Sequence, residues 1–435
     1  MKSNFEKNNT MIKQYIQQVF YSIRQQKLLS GITIAATALT ICLIMVILLL
    51  QQINIVPFAP ESNRQRMLFV SYLYSKQDGS DITAPMDQKV AEAIFQPLQK
   101  PAKVTLYEKQ KQMPVKSPAN ERELSQTVLK VDNNFFHVFD FRFLSGDTFD
   151  NVQFESGACV AVIARELSMF LFNTIDATGM QFELNDELYR VAGVVSDVSP
   201  LAFNAYAQVW IPYTSTNSEA GMFKHHGQFC ATLLLNTLAD VADVQKEVSA
   251  SLSEYNKVIM PDTLFLRGQP EFIDIAFERQ SNVRISEKDL WQIKSKRFGI
   301  LFLIMLIPAI GLSAIQQSRF NRKKQDIAIA RSFGCTQRAV VFQLLSESFL
   351  LTLMSGFVGL MASISIVWVW GRELILANNA LFASSAVLIR PSMLFQLSTF
   401  GWALVFCILF NLMIATIASW KMSRYSITEL LNGKV

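Results

Sequence analysis

Charge is scarce in this sequence: only 17% of its 435 residues are Asp, Glu, Lys or Arg, 51% are hydrophobic, and the mean hydropathy is +0.25. A soluble protein of this length is ordinarily more polar, so the balance makes membrane embedding the default. Also missing is any G-x-x-x-x-G-K-[ST] stretch, which excludes ATP hydrolysis by the P-loop mechanism within this sequence. The five Cys are odd in number and irregularly spaced, and supply neither a disulfide framework nor a zinc ribbon. Cys159 and Cys230 form the one pair on the outer side, and either a bridge or two separately buried thiols fits them. Of the three His, His225 and His226 lie close to Cys230, but neighbours on a strand point to opposite faces and cannot share an ion. Ser, His and Asp occur without a nucleophile elbow or an oxyanion motif, so the chain is expected to be non-catalytic, with no cofactor or metal of its own.

What the sequence does have is long apolar runs. Residues 29–50 carry no charge and would make roughly 33 Å of helix, enough to cross a bilayer core. No small-x-small cleavage pattern follows, so this run reads as an uncleaved anchor. Three more runs qualify, at 298–317, 344–370 and 394–420, with Pro308 and Gly311 expected to bend the first of these. The flanks set the topology. Lys and Arg outnumber acids by five to one in 1–28, six to one in 318–339 and three to one in 421–435, whereas 51–297 holds 24 basic and 30 acidic residues, 24 − 30 = −6. Both termini and the basic loop are therefore expected in the cytoplasm and the large segment outside. Within 1–28, Ile12, Tyr15, Ile16, Val19, Phe20 and Ile23 share one helical face, which predicts an amphipathic helix at the membrane surface.

The outer segment alternates between strand and helix periodicity. Residues 67–74, 86–98 and 102–107 read as strand, helix and strand, and 229–235, 238–255 and 264–266 repeat the order. These two β-α-β units, about 62–112 and 227–280, enclose a strand-rich insert at 113–226 whose turns include Ser145-Gly146-Asp147 and Asn185-Asp186. Phe135, Phe136 and Phe203 are expected in the core rather than at a binding surface. Residues 285–297 are expected to form a stalk helix running into the second span, and 371–393 an outer loop with Arg372, Glu373 and Arg390 beside Trp368 and Trp370.

The basic stretch 318–348, SRFNRKKQDIAIARSFGCTQRAVVFQLLSES, lies between two apolar runs. It places Ile327, Ala330 and Arg331, and likewise Ile329 and Phe333, at helical spacing, and Gly334 falls where a helix would stop. On the residues alone, this is a short surface helix or a loop that merely keeps positive charge inside. Glu347 follows near the inner end of a span, where a carboxylate needs a partner or water, and Arg338 or the surface helix is the expected partner.

Two blocks resemble a known family, the MacB/FtsX-type permeases, which are the mechanotransmission class of ABC transporter membrane subunits. The first runs from VDNNFFHVFDFRFLSGDTFD (131–150) through VAVIARELSMFLF and GMQFELNDELYRVAGVVSDV to QVWIPYTS. The second is RKKQDIAIARSFGCT (322–336), similar to the coupling helix R-x-x-E-I-G-I-x-R-A-L-G-A-S, followed by Ser346-Glu347-Ser348. Asp326, Ala328, Ser332 and Cys335 depart from that pattern.

The resemblance implies a membrane protein of four transmembrane helices, with a large α+β periplasmic domain between the first two: a porter-like β-α-β subdomain carrying a sabre-like insert. It implies the bacterial inner membrane, a cytoplasmic ABC ATPase dimer that binds ATP and Mg, and a second permease chain. A periplasmic adaptor, an outer-membrane channel and no nucleic acid complete the implied set of partners. Asp326, Ile327, Ala328, Ile329, Arg331, Phe333, Gly334 and Glu347 would couple to the ATPase. Export of a peptide or amphiphilic small molecule from the periplasm is the implied function. Lipoprotein extraction or activation of a periplasmic partner is the alternative, and a membrane-anchored sensor without an ATPase is a third reading, from another class.

Overall fold

The computed structural model describes residues 27–52, 56–77, 80–117, 123–216, 222–281 and 336–378, with shorter pieces between 291 and 334 and between 401 and 417. The expected surface helix in 1–28 before Lys27, the stalk before residue 291 and the tail 421–435 lie outside the described residues. The chain divides into two units: residues 1–51, 295–375 and 394–435 form one, and 52–294 with 376–393 the other.

The first helix, α1 (Lys27–Gln52), covers the first apolar run. Its 26 residues amount to about 39 Å. The outer unit begins with β1 (Met67–Val70), β2 (Leu73–Gln77) and β3 (Ser80–Ala84). Helix α2 (Gln88–Phe95) follows, started by Asp87, whose carboxylate accepts the Lys89 N–H, and it buries Val90, Ala91, Ile94 and Phe95 as one stripe. Next come β4 (Lys103–Glu108), β5 (Lys111–Lys116), β6 (Glu123–Val131), α3 (Phe135–Val138), β7 (Phe143–Gly146) and α4 (Asn151–Glu155). Then β8 (Val160–Ala164), α5 (Arg165–Phe172), β9 (Gln181–Leu184), β10 (Glu187–Val195), β11 (Val209–Pro212) and β12 (Phe229–Leu234). The unit closes with α6 (Val241–Val258), β13 (Leu264–Phe265) and α7 (Ile273–Ser281).

The two expected β-α-β units interlock. Strand β12 inserts antiparallel between β1 and β4, while β13 pairs with β2, so both strands of the second unit pair with strands of the first. Helices α2 and α6 cover this sheet, and Leu68, Val70, Ile94, Phe95, Leu106, Phe229 and Val244 fill the space beneath them. The single strand expected over 67–74 is in fact two. It breaks at Ser71-Tyr72, and β1 and β2 enter different sheets.

The insert is not a separate layer. Strand β6 pairs with β4 on the α/β side, and the insert closes into a ring, β6-β11-β8-β10-β9-β5 and back to β6. At Val128 the partners are Lys111 of β5 on one side and Val209 of β11 on the other, which makes the closure a six-stranded barrel. Val115, Phe182, Leu184, Tyr189, Val191 and Ile211 fill it. Its β9–β10 hairpin turns on Asn185 and Asp186, both at positive φ (50° and 67°), as a tight two-residue turn requires.

The longest described helix, α8 (Gln337–Asn378), is 42 residues long. It extends beyond the expected third span at both ends, so residues 371–378 continue the helix where an outer loop was expected. Its stretch Val340–Trp370 is, among the described residues, the one helix that meets the length and composition of a membrane span, and Ile34–Ile47 of α1 is a shorter apolar segment.

Candidate functional site

Ahead of α8, residues 328, 329 and 332 are helical. The Phe333 N–H donates to the Ile329 carbonyl at 3.2 Å, one helical turn, and the Ser332 hydroxyl donates to the same carbonyl at 2.7 Å. Gly334 ends the turn at φ +90°, a left-handed position that a side chain would strain although the space around it is open. A new helix then starts, with the Val340 N–H donating to the Thr336 carbonyl.

Four residues apart on one helical face, Ile329 and Phe333 stand 51% and 88% exposed, while Ala328 is buried. An aromatic ring almost wholly in solvent beside a half-exposed isoleucine is an apolar face with no cover among the described residues. Glu347 is buried on α8. Asp326, Ile327 and Arg331 lie outside the described residues, and nothing is described of the Arg338 side chain. Of the expected coupling set, the structure therefore brings together Ala328, Ile329, Phe333 and Gly334 in one turn, with Glu347 further along α8.

What positions α8 was not singled out from the sequence. Gly359 lies so close to α1 that a Cβ there would meet the Ala38 carbonyl at 2.7 Å and the Ile41 Cβ at 3.1 Å; one at Gly356 would meet Leu404. Ile41, Ile44 and Met45 of α1 pack on Leu360 around that approach. The same side of α8 buries Ser348, Thr352, Ser355 and Ser363, three of which are satisfied by their own helix: Thr352 donates to the Ser348 carbonyl, Ser355 to Leu351 and Ser363 to Leu360 at 2.7–2.8 Å. The spacing of small residues along 355–363 was the available signal.

In the outer unit, the histidines point to separate partners: His225 Nε2 lies 3.1 Å from Asp262, and His226 Nε2 lies 2.7 Å from the Ser75 hydroxyl. No group of three or more metal-binding side chains occurs among the described residues. Cys159 is exposed and free, and Cys230 is buried and free, its thiol pushed up to about 11 by burial. Phe135 and Phe136 are buried and stack with Tyr107, Phe139, Phe141 and Phe149, whereas Phe203 is half-buried.

A family model for the MacB-like periplasmic core domain matches residues 29–251, and one for the FtsX-like permease C-terminal domain matches 298–427. The chain is 22% identical over 247 residues to the uncharacterized ABC transporter permease YknZ of Bacillus subtilis, covering 57% of this chain and 58% of that one. It is 22% identical over 245 residues to the macrolide export ATP-binding/permease protein MacB of Pasteurella multocida, covering 56% and 35%. The same identity over 286 residues relates it to the pyoverdine export ATP-binding/permease protein PvdT of Pseudomonas fluorescens, covering 65% and 39%. The chain thus spans only part of each relative's length. Among solved structures it is similar to the extracellular domain of the YknZ transporter from Gram-positive bacteria, at 12% identity and a TM-score of 0.33, over 45% of this chain and 99% of that one. The periplasmic region of MacB from Actinobacillus actinomycetemcomitans gives 12% and 0.35, over 50% and 93%.

Proposed function

We propose that this chain, which belongs to the family of permeases joining a MacB-like periplasmic core domain to an FtsX-like C-terminal domain, transmits the ATP cycle of a separate ATPase subunit to its outer domain and so drives export of a peptide or amphiphilic small molecule. The exposed pair Ile329 and Phe333 carries this reading. They are apolar knobs on a helical turn in a basic segment, the composition of an interface core with a charged rim. The 435 residues hold no phosphate cradle, which supports energy entering from a separate ATPase. Relatives named for macrolide and pyoverdine export support an amphiphilic cargo.

In this scheme the chain spans the inner membrane four times with both termini inside and pairs with a second permease chain. ATP and Mg stay on the ATPase dimer, and an adaptor and an outer-membrane channel carry the cargo onward. Ile329, Phe333 and Ala328, with Asp326, Ile327 and Arg331 around them, seat in the ATPase; Gly334 ends that helix so that α8 can start, and Glu347 lies beyond it.

The test is co-purification of the ATPase with Ile329→Asp and Phe333→Asp. Both side chains are exposed, so the melting temperature of the permease should hold while the ATPase is lost. Full retention of the ATPase would overturn the docking assignment, and accumulation of a lipoprotein in the inner membrane on deletion would replace export with extraction.

A further inference from the structure

The chain enters the outer unit after α1 and leaves it after α7, and both passages meet at the β1–β2 run. On the exit side, Glu271 exchanges two backbone hydrogen bonds with Phe69 of β1, at 2.8 and 3.1 Å. Two residues earlier, the buried Gln269 side chain fills the break between β1 and β2: its Oε1 accepts the Ser71 and Tyr72 N–H groups at 2.8 and 3.2 Å, and its Nε2 donates to the Tyr72 carbonyl at 2.7 Å. A side-chain amide thereby does the pairing of a missing strand residue.

Arg279 on α7, fully buried, then ties the exit helix to the same place. It grips the Glu271 carboxylate with Nε and Nη2, both at 2.6 Å, and donates from Nη1 to the Tyr74 hydroxyl of β2 at 2.8 Å. Burial acts to lower the Arg279 pKa and Glu271 more than reverses it. Burial likewise raises the Glu271 carboxyl, and Arg279 opposes that through its two-pronged hydrogen bonds. On the entry side, Arg64 is buried against Glu61 at 2.5 Å and also donates to the carbonyls of Val56 and Leu201. Strand β1 begins three residues later.

From this we infer that Gln269, Glu271 and Arg279 are positioning residues that lock the exit segment onto the strand run continuing from the entry segment, so that the two membrane connections load the outer sheet at one joint. The inference rests on the transmission reading above. The pair links the first strands to α7, and Gln269 fills the break between those strands.

The experiment uses the full chain with its ATPase in lipid nanodiscs, spin-labelled at the exposed Cys159 with Cys335 and Cys407 replaced by Ser, and reads the distance between labels on two copies with and without ATP. The variants are Gln269→Met, Arg279→Lys, Arg279→Met and the charge swap Glu271→Arg with Arg279→Glu. The expected result is that Gln269→Met and Arg279→Lys lower the melting temperature but still fold and keep ATP hydrolysis, and lose most of the ATP-dependent distance change, with the swap recovering part of what Arg279→Met loses. A full distance change in Gln269→Met or Arg279→Lys overturns the joint even if Arg279→Met fails to fold. No ATP-dependent change in the unmodified protein overturns the transmission reading, and the joint with it, which separates the two failures.

Discussion

Asp132 ends β6 with its two carboxylate oxygens turned to the buried Thr105 and Leu106, accepting from the Thr105 hydroxyl at 2.6 Å and the Leu106 N–H at 2.8 Å. Burial pushes its carboxyl up from 3.8 to about 7, against those donors. A carboxyl whose folded pKa lies above its unfolded one favours the fold most below pH 3.8, and the benefit fades as pH rises through about 7. His226 acts the other way, since burial lowers its pKa below 6.5 and the fold loses its contribution as pH falls. Melting curves of the solubilised protein from pH 8 to pH 5 should therefore show Asp132→Asn gaining less stability on acidification than the unmodified protein; equal slopes would assign Asp132 an ordinary pKa. Little of this was legible in the sequence. Val131 and Asp132 could be quoted as part of a block, but a carboxylate's surroundings come from Thr105, 27 positions away. The Phe135 and Phe136 core was legible, because adjacent large aromatics in a strand-rich segment have few places to go but inward.

Helices and turns were the more legible scale. The apolar run 29–50 lies within α1, Asn185-Asp186 makes its hairpin turn, and 86–98 brackets α2. The misreadings have local causes. Residues 67–74 look like one strand because the break at Ser71-Tyr72 is repaired by Gln269, nearly 200 positions downstream. Helix α8 outran its apolar core because Gln337, Arg338, Glu373 and Leu374 all favour helix and carry it through Gly371 at the expected outer boundary. Where α8 meets α1, the element-scale prediction concerns Gly359. Replacing it with Leu drives a side chain into the Ala38 backbone, which cannot yield as a flexible side chain could. Overpacking of that kind costs about 1–3 kcal/mol, so Gly359→Leu should lower the melting temperature and loosen a cysteine crosslink between α1 and α8. Gly299, with nothing within 4 Å of its Cβ position, is the control and should tolerate Ala.

At the scale of the molecule, the family was legible from two quoted blocks, and the pairing of strands was not. Periodicity announces that a strand exists but says nothing of its neighbour. Neither the interlocking of β12 between β1 and β4 nor the ring that joins β5 to both β6 and β9 could be read from spacing. The permease should co-purify with an ATPase and crosslink to a second permease chain, its own copy or another, and mass measurement of the intact complex checks both. The barrel has a further consequence for how the chain matures. Its closure waits for Val115 to meet Leu184, 184 − 115 = 69 positions apart, a late and non-local event. Until then β5 and β9 both present open edges, the surfaces on which unrelated chains aggregate. The hazard of this domain therefore belongs to its biogenesis, and once β5 and β9 are paired the closed ring leaves the mature form with little trace of it.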